Sequence, residues 1–309
     1  MRELYELVSQ EVRAVVVGQD EVVARVLAAF ACGGHVLLEG PPGVAKTLLA
    51  RTVAQTLGLQ FARVQFTPDM LPSDITGTIV LRGAELSFRP GPVFTNILLA
   101  DEINRTPPKT QAALLEAMQE GQVTVDATGH PLPSPFLVVA TQNPIEYEGT
   151  YPLPEAQLDR FLMQIEVGYP SAEDERAMLA LPRDGLNPAA LASVRRVAGA
   201  PELASARAAV EAVTVADTVA GYVVDLVRRT RALPSVTLGA SPRAAVHLLS
   251  AARAGASLAG RSFVTPDDVA EIAPSVLAHR LVLTPDAELE RFTGRDAVRS
   301  AIADVPVPR

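Results

Sequence analysis

One stretch constrains this chain more than any other. His35-Val36-Leu37-Leu38-Glu39 is a short apolar run that enters Gly40-Pro41-Pro42-Gly43-Val44-Ala45 and leaves through Lys46-Thr47-Leu48-Leu49-Ala50, a helical pattern. A buried strand that delivers the chain to a Gly/Pro turn and a helix N-terminus makes a pocket of inward-facing N–H groups with partial positive charge, which suits a polyphosphate. Lys46 is placed to reach β- and γ-phosphates as a compact charge, and the Thr47 hydroxyl to ligate Mg²⁺. The general pattern G-x-x-x-x-G-K-[ST] is missed at one position, where Ala45 replaces the second Gly. A strand-turn-helix corner with no ligand is the alternative. Composition argues against it: of 27 basic residues only Lys46 and Lys109 are lysines, so a basic residue chosen for charge alone would be Arg.

A strand Asn96-Ile97-Leu98-Leu99-Ala100 ends in Asp101-Glu102. Buried parallel strands read as continuous apolar runs, and their carboxyl ends are where doubly wound sheets bind ligands. Asp101 is expected to hold Mg²⁺ through water, and Glu102 to orient and deprotonate an attacking water; solvated acids at an exposed strand end are the alternative. A further apolar strand, Phe136 to Ala140, leads into Thr141-Gln142-Asn143. Asn143 is suited to bind a γ-phosphate or the water, or is a plain turn residue. Val17-Gly18-Gln19, between two amphipathic helices near 2–14 and 20–30, reads either as a helix–helix turn or as a wall against adenine. Asp20 is expected to cap the second of these helices.

Strands and helices alternate as far as Gly168-Tyr169-Pro170, and helical patterns follow. We therefore expect an α/β nucleotide-binding core over 1–170 and a helical domain over 171–309, with helices at 172–181, 189–197, 200–232, 242–259 and 266–282. Ser241 and Thr265 stand as N-caps before Pro242 and Pro266. Two hairpins, near 71–90 and 123–135, are expected to project from the core.

Charge narrows the partners. With 35 acidic and 27 basic residues the net charge is −8, so no long-range field draws nucleic acid or an anionic membrane. The clusters Arg195-Arg196 and Arg228-Arg229-Thr230-Arg231 lack interleaved aromatics and read as solvated helix faces. No apolar run approaches the ~18 residues of a membrane span, the N-terminus lacks the apolar core of a signal peptide, and a single Cys32 excludes an intramolecular disulfide. A cytoplasmic protein is expected. The four histidines and Cys32 show no metal-ligand spacing, and no G-x-S-x-G nucleophile motif occurs.

Taken together, Gly-Pro-Pro-Gly-Val-Ala-Lys-Thr at 40–47, Ala-Asp-Glu-Ile-Asn-Arg at 100–105, Leu-Leu-Glu-Ala-Met-Gln-Glu-Gly at 114–121, Ala-Thr-Gln-Asn-Pro at 140–144 and Glu-Ala-Gln-Leu-Asp-Arg-Phe at 155–161 resemble the MoxR family of AAA+ ATPases. Ala before the lysine is itself usual in that family. The resemblance implies a P-loop αβα sandwich with a five-stranded parallel sheet, an all-α lid, and assembly as a ring, usually a hexamer, with ATP and Mg²⁺ at subunit boundaries. It implies that Asn143 matches sensor 1, Arg160 the arginine finger offered to a neighbour, Arg243 sensor 2, and Arg105 a further sensor at the boundary. It also implies a chaperone-like remodelling or maturation factor, often with partners carrying von Willebrand A domains, and places the two hairpins on a face or pore where substrate is engaged. A nucleotide-dependent scaffold without useful turnover is the rival from another class; intact Glu102, Asn143 and Arg160 favour the enzyme. A DNA-translocating motor is disfavoured by the charge.

Overall fold

The computed structural model describes residues 1–83, 85–142, 150–180, 191 and 193–308. The first half comprises α1 (Arg2–Arg13), α2 (Asp20–Ala31), β1 (His35–Glu39), α3 (Lys46–Thr56), β2 (Phe61–Gln65), α4 (Pro72–Thr76), β3 (Gly77–Arg82), β4 (Glu85–Pro90) and β5 (Ile97–Asp101). It continues with α5 (Pro108–Glu120), β6 (Gln122–Val125), β7 (Thr128–Pro131), β8 (Leu137–Gln142), α6 (Glu155–Leu158) and β9 (Phe161–Glu166). Beyond these lie α7 (Ala172–Ala180), α8 (Ala200–Glu211), α9 (Asp217–Thr230), β10 (Val236–Leu238), α10 (Pro242–Leu258), α11 (Pro266–Leu277), β11 (Val282–Leu283), α12 (Pro285–Leu289) and α13 (Gly294–Asp304).

Five parallel strands form one sheet in the order β2-β5-β8-β1-β9. Parallel pairing requires crossovers, and the apolar runs of β1, β5 and β8 supply strands that can be buried on both faces. Alternation along each strand then sorts side chains between two cores. Val36 and Leu38 of β1, Leu99 of β5, Val139 of β8 and Ile165 of β9 pack beneath α1–α3 in a core that runs on, without a break, into α8–α11. Leu37, Leu98, Val138 and Ala140 face the opposite way, under Leu114, Leu115 and Met118 of α5. The chain is thus an α/β P-loop fold with a helical lid. Phosphate loop and acidic strand end both lie at the carboxyl edge, beside the point where the strand order reverses.

The two hairpins are β3–β4 and β6–β7, each antiparallel. They touch each other: the Phe88 and His130 rings stack with centroids 3.9 Å apart. At the tip of the first, the cross-strand pair Leu81 and Leu86 is 67% and 73% exposed.

Several expected elements are corrected. Asp20 is the first residue of α2 rather than its cap; Gln19 occupies the cap position, and the Asp20 carboxylate accepts from Arg13 instead. The expected helix over 200–232 is two, α8 and α9, because the intervening Val213-Thr214-Val215 is β-branched and Thr214 donates its N–H to Ser262 and bridges Phe263. Over 189–197 the described residues form no continuous helix; the Arg195 N–H donates to the buried Glu11 carboxylate, a bond that takes the place of a helical one. The helix expected to reach 282 ends at Leu277 and gives way to a tight turn at Ala278–Arg280. The lid includes a small ribbon, β10–β11, as well as helices. Its arginines are engaged as well as solvated: Arg195 pairs with Glu11 at 2.5 Å and Arg229 with Asp304 at 2.7 Å.

Candidate nucleotide site

The loop from Gly40 to Ala45 is shaped by two backbone requirements. Gly43 lies at φ +83°, with nothing within 4 Å of where a Cβ would stand, so the loop surface is open there. A Cβ on Gly40 would lie 2.2 Å from the Val167 carbonyl oxygen, so only Gly permits β9's extension to pass. Val44 turns inward and is buried, whereas Pro42 stays toward solvent and Pro41 is half-buried. Ala45 has φ 62°, the left-handed conformation that a Gly at this place adopts freely and a residue with a Cβ adopts at a cost of roughly 1 kcal/mol. The one departure from the loop pattern therefore keeps the loop's geometry.

Ala45 is the N-cap of α3, and Lys46 and Thr47 are its first residues. Lys46 Nζ donates to Gly40 O at 2.7 Å and to Gln142 O at 3.5 Å, spanning the loop and the end of β8. Thr47 Oγ1 donates to Asp101 Oδ2 at 3.3 Å, so the two expected metal ligands from β5 and α3 meet. A hydroxyl and a carboxylate at this spacing are hard oxygen donors, and they fit Mg²⁺ as partial ligands with water and phosphate completing the shell. Glu39, which leads into the loop, has its carboxyl pushed up by burial and by the neighbouring Glu166.

Asp101 is held from three sides. Thr141 Oγ1 donates to its Oδ1 at 2.6 Å, and Arg63 donates to its Oδ2 through Nε at 3.0 Å and Nη2 at 2.7 Å. Glu102 follows in the left-handed region at φ 56°, which is strained for Glu and turns its side chain off the strand line. The Glu102 carboxylate accepts from Gln65 Nε2 at 2.6 Å and from Arg105 Nη1 at 2.9 Å. Arg63, Gln65 and Thr141 did not stand out in the sequence. Arg63 and Gln65 are two apart on edge strand β2 and so share a face, a signal that becomes meaningful only once β2 is known to lie beside β5.

The remaining candidates lie elsewhere. Gly18, at φ +75°, leaves no room for a Cβ beside Asp174 of α7, and Gln19 Nε2 donates to Gly168 O at 3.3 Å, so the Val17-Gly18 turn packs at the stretch between β9 and α7. Arg160, between α6 and β9, donates to Gln119 Oε1 at 3.0 Å and Ala156 O at 3.3 Å and is not brought to the loop at 40–47 by any of these bonds. Arg243 stands in the first turn of α10, 4.0 Å from Asp159 Oδ2. Asn143 lies outside the described residues. Among the described residues no group of three or more His, Cys, Asp or Glu could hold a metal by itself, and no helix is long and apolar enough to cross a membrane.

Residues 35–163 match the family described as ATPases associated with various cellular activities (AAA), and residues 228–301 match the AAA lid domain. Similarity extends along the chain: Chaperone MoxR1 of Mycobacterium tuberculosis is 46% identical over 97% of this chain and 81% of its own length. Protein MoxR of Paracoccus denitrificans is 36% identical over 95% and 93%, respectively. The chain belongs to the MoxR family of AAA+ ATPases. YeaC of Bacillus subtilis is also 46% identical to this MoxR-family chain, over 97% of it and 93% of YeaC. A crystal structure from Cytophaga hutchinsonii superposes with a TM-score of 0.91 at 42% identity, covering 100% of this chain and 96% of the other.

Proposed function

We propose that this MoxR-family ATPase hydrolyses ATP with Mg²⁺ and uses the cycle to remodel or mature partner proteins. The observation that carries the proposal is the meeting of Thr47, Asp101, Lys46 and Glu102 at one edge of the sheet. In this reading the N–H groups at 40–47 and Lys46 hold the phosphates, and Thr47 and Asp101 hold the ion, which neutralises phosphate charge when bound. Glu102 accepts the proton of the attacking water as it adds to the γ-phosphorus while the bond to the β-phosphate oxygen breaks. Gln65 and Arg105 orient the Glu102 carboxylate, and Asn143 assists at the phosphate or the water. Val17 and Gly18 border the base where the core, 1–170, meets the lid, 171–309.

Arg160 serves a neighbour's nucleotide across a ring boundary, with six subunits as the expected ring, and Arg243 senses the chain's own. Bonds of Arg160 to Gln119 and Ala156 rather than to the phosphate loop support a role in trans. The stacked hairpins, with Leu81 and Leu86 exposed near the tip of the first, are the proposed contact for a cytoplasmic partner carrying a von Willebrand A domain; nucleic acid is not among the proposed partners. A scaffold that binds ATP without turnover is the rival. Purified chain should turn over ATP only with Mg²⁺, and Glu102→Gln should retain ATP while turnover falls about 10²-fold or more. That trapped form should capture a partner that is lost when the hairpin over 77–90 is shortened. Turnover unaltered by Glu102→Gln would remove its role as base, and absence of turnover in every assembly state would favour the scaffold.

A further inference from the structure

Asp159 and Arg280 are joined at the boundary between lid and core, and neither is explained by the nucleotide site. Arg280 follows α11 in the tight turn at 278–280, and its side chain is 1% exposed. Its Nε donates to Asp159 Oδ1 at 2.8 Å, and its Nη2 donates to the Asp159 carbonyl at 3.3 Å and to the Phe161 carbonyl. One lid guanidinium therefore grips the backbone on both sides of Arg160. The same nitrogen donates at 2.7 Å to His247 Nδ1 of α10, which must be the unprotonated acceptor because a guanidinium only donates. Asp159 uses its other face on α10 as well: Ser241 Oγ donates to Oδ1 and Oδ2 at 3.2 and 3.1 Å, while it also accepts the Ala244 N–H as the helix cap. Arg243, in the first turn of that helix, reaches Asp159 Oδ2 at 4.0 Å and is 48% exposed.

We propose that Arg280 and Asp159 form a clasp that ties the segment carrying Arg160 to the N-terminus of the lid helix carrying Arg243, so that one subunit's lid position sets how its Arg160 is presented to the neighbour. Both are positioning residues; neither touches nucleotide. A buried fork with several acceptors holds one geometry, since any rotation of α10 that breaks the Ser241 or His247 bond gives up a hydrogen bond to a charged group at this part-buried seam. Lid and finger therefore move together or not at all. The clasp matters in this way only if Arg160 and Arg243 act as proposed above.

The test uses the full chain in its assembled form, with ATP affinity read from a fluorescent ATP analogue, turnover from phosphate release, and folding from thermal melts. Arg160→Ala should bind ATP normally, lose turnover, and regain it when mixed with Glu102→Gln subunits, which supply intact fingers. Arg280→Lys, which keeps the charge but loses the fork, and Asp159→Asn, which keeps one acceptor oxygen but loses the charge, should lose turnover about 10²-fold while remaining folded. Mixing with Glu102→Gln should restore them less than half as well as Arg160→Ala, because their own lids are loosened too, and ATP affinity should shift in the direction given by Arg243→Ala. Ser241→Ala leaves the Asp159–Arg280 pair intact and serves if those variants melt below assay temperature; it should shift ATP affinity and turnover together by about fivefold. Wild-type turnover in folded Arg280→Lys and Asp159→Asn, or restoration on mixing equal to that of Arg160→Ala, overturns the clasp while the finger assignment stands. A Ser241→Ala chain with unshifted affinity and turnover overturns it likewise. Normal turnover in Arg160→Ala removes the finger assignment and the clasp with it, and shows in a variant that leaves the clasp untouched.

Discussion

The phosphate loop and the Asp159–Arg280 clasp are both built around one basic side chain, and they differ in how far along the chain their parts lie. Lys46 reaches Gly40, six residues away, within a turn whose shape its own glycines and Ala45 define. Arg280 reaches Asp159 and Phe161, 121 and 119 residues away, and exists as a site only because α11 packs against β9. The first region is stiff by local covalent and backbone geometry. Relative placement of two large units sets the second. A switch that must report lid position belongs in the second kind of place, and one that must hold phosphates in every state belongs in the first.

The largest expected effect breaks the loop: Lys46→Ala should abolish measurable ATP binding, because no other side chain in the loop carries charge, and equal affinity in equilibrium binding would contradict the phosphate-site assignment. Next, Arg160→Ala should leave binding intact and cut turnover on the order of 10³ to 10⁵-fold, with wild-type turnover per chain rising with protein concentration as boundaries assemble. Concentration-independent turnover would make Arg160 a structural residue only.

Acid should loosen both regions through stability. His35 Nε2 donates to Met118 O at 3.2 Å and its Nδ1 accepts the Val138 N–H at 3.0 Å, so a second proton on Nδ1 would face an N–H. Burial pushes the His35 pKa down to about 4, and burial together with Arg280 pushes His247 down to about 4. Folded pKa values below the unfolded value mean that the unfolded chain binds more protons between about pH 6.5 and 4, so stability falls as pH drops through that window. The buried His35 alone accounts for at most about 3 kcal/mol of the loss. Urea titrations at pH 7.5 and 5 should show it, and His35→Phe should flatten the dependence; a pH-independent midpoint would contradict it. The smallest effect lies far from either region. Thr265 accepts from Asp268 N–H at the start of α11, and Thr265→Ala should cost about 1 kcal/mol in the same titrations with ATP affinity unaltered.

Local features are legible in the chain without its fold, and remote ones are not. The apolar runs at 36–38, 97–100 and 137–140 state their own depth, since a strand covered on both faces cannot alternate in polarity, and the Gly/Pro loop with its lysine states its own chemistry. Asp101 and Glu102 stood out as candidates because they end such a strand, with solvated acids left as the alternative. Val213-Thr214-Val215 was harder, as its Ala-rich neighbours carry helical spacing across a break that a bridge to Phe263 makes favourable. Helix propensity differs by only a few tenths of a kcal/mol among these residues, less than one tertiary hydrogen bond decides.

What the residues alone determined is the alternation of sheet strands and helices as far as β9 and the chemical identity of the loop, because both follow from neighbours within a few positions. Tertiary structure alone decided that Arg63 and Gln65 would hold Asp101 and Glu102, that Ser241, legible in sequence as the α10 cap, would also bind Asp159, and that Arg280 would grip the carbonyls on either side of Arg160. An arginine carries the same charge on a solvated helix face as in a buried clasp. Only packing, by removing water and fixing which carbonyls face its fork, makes the difference between them.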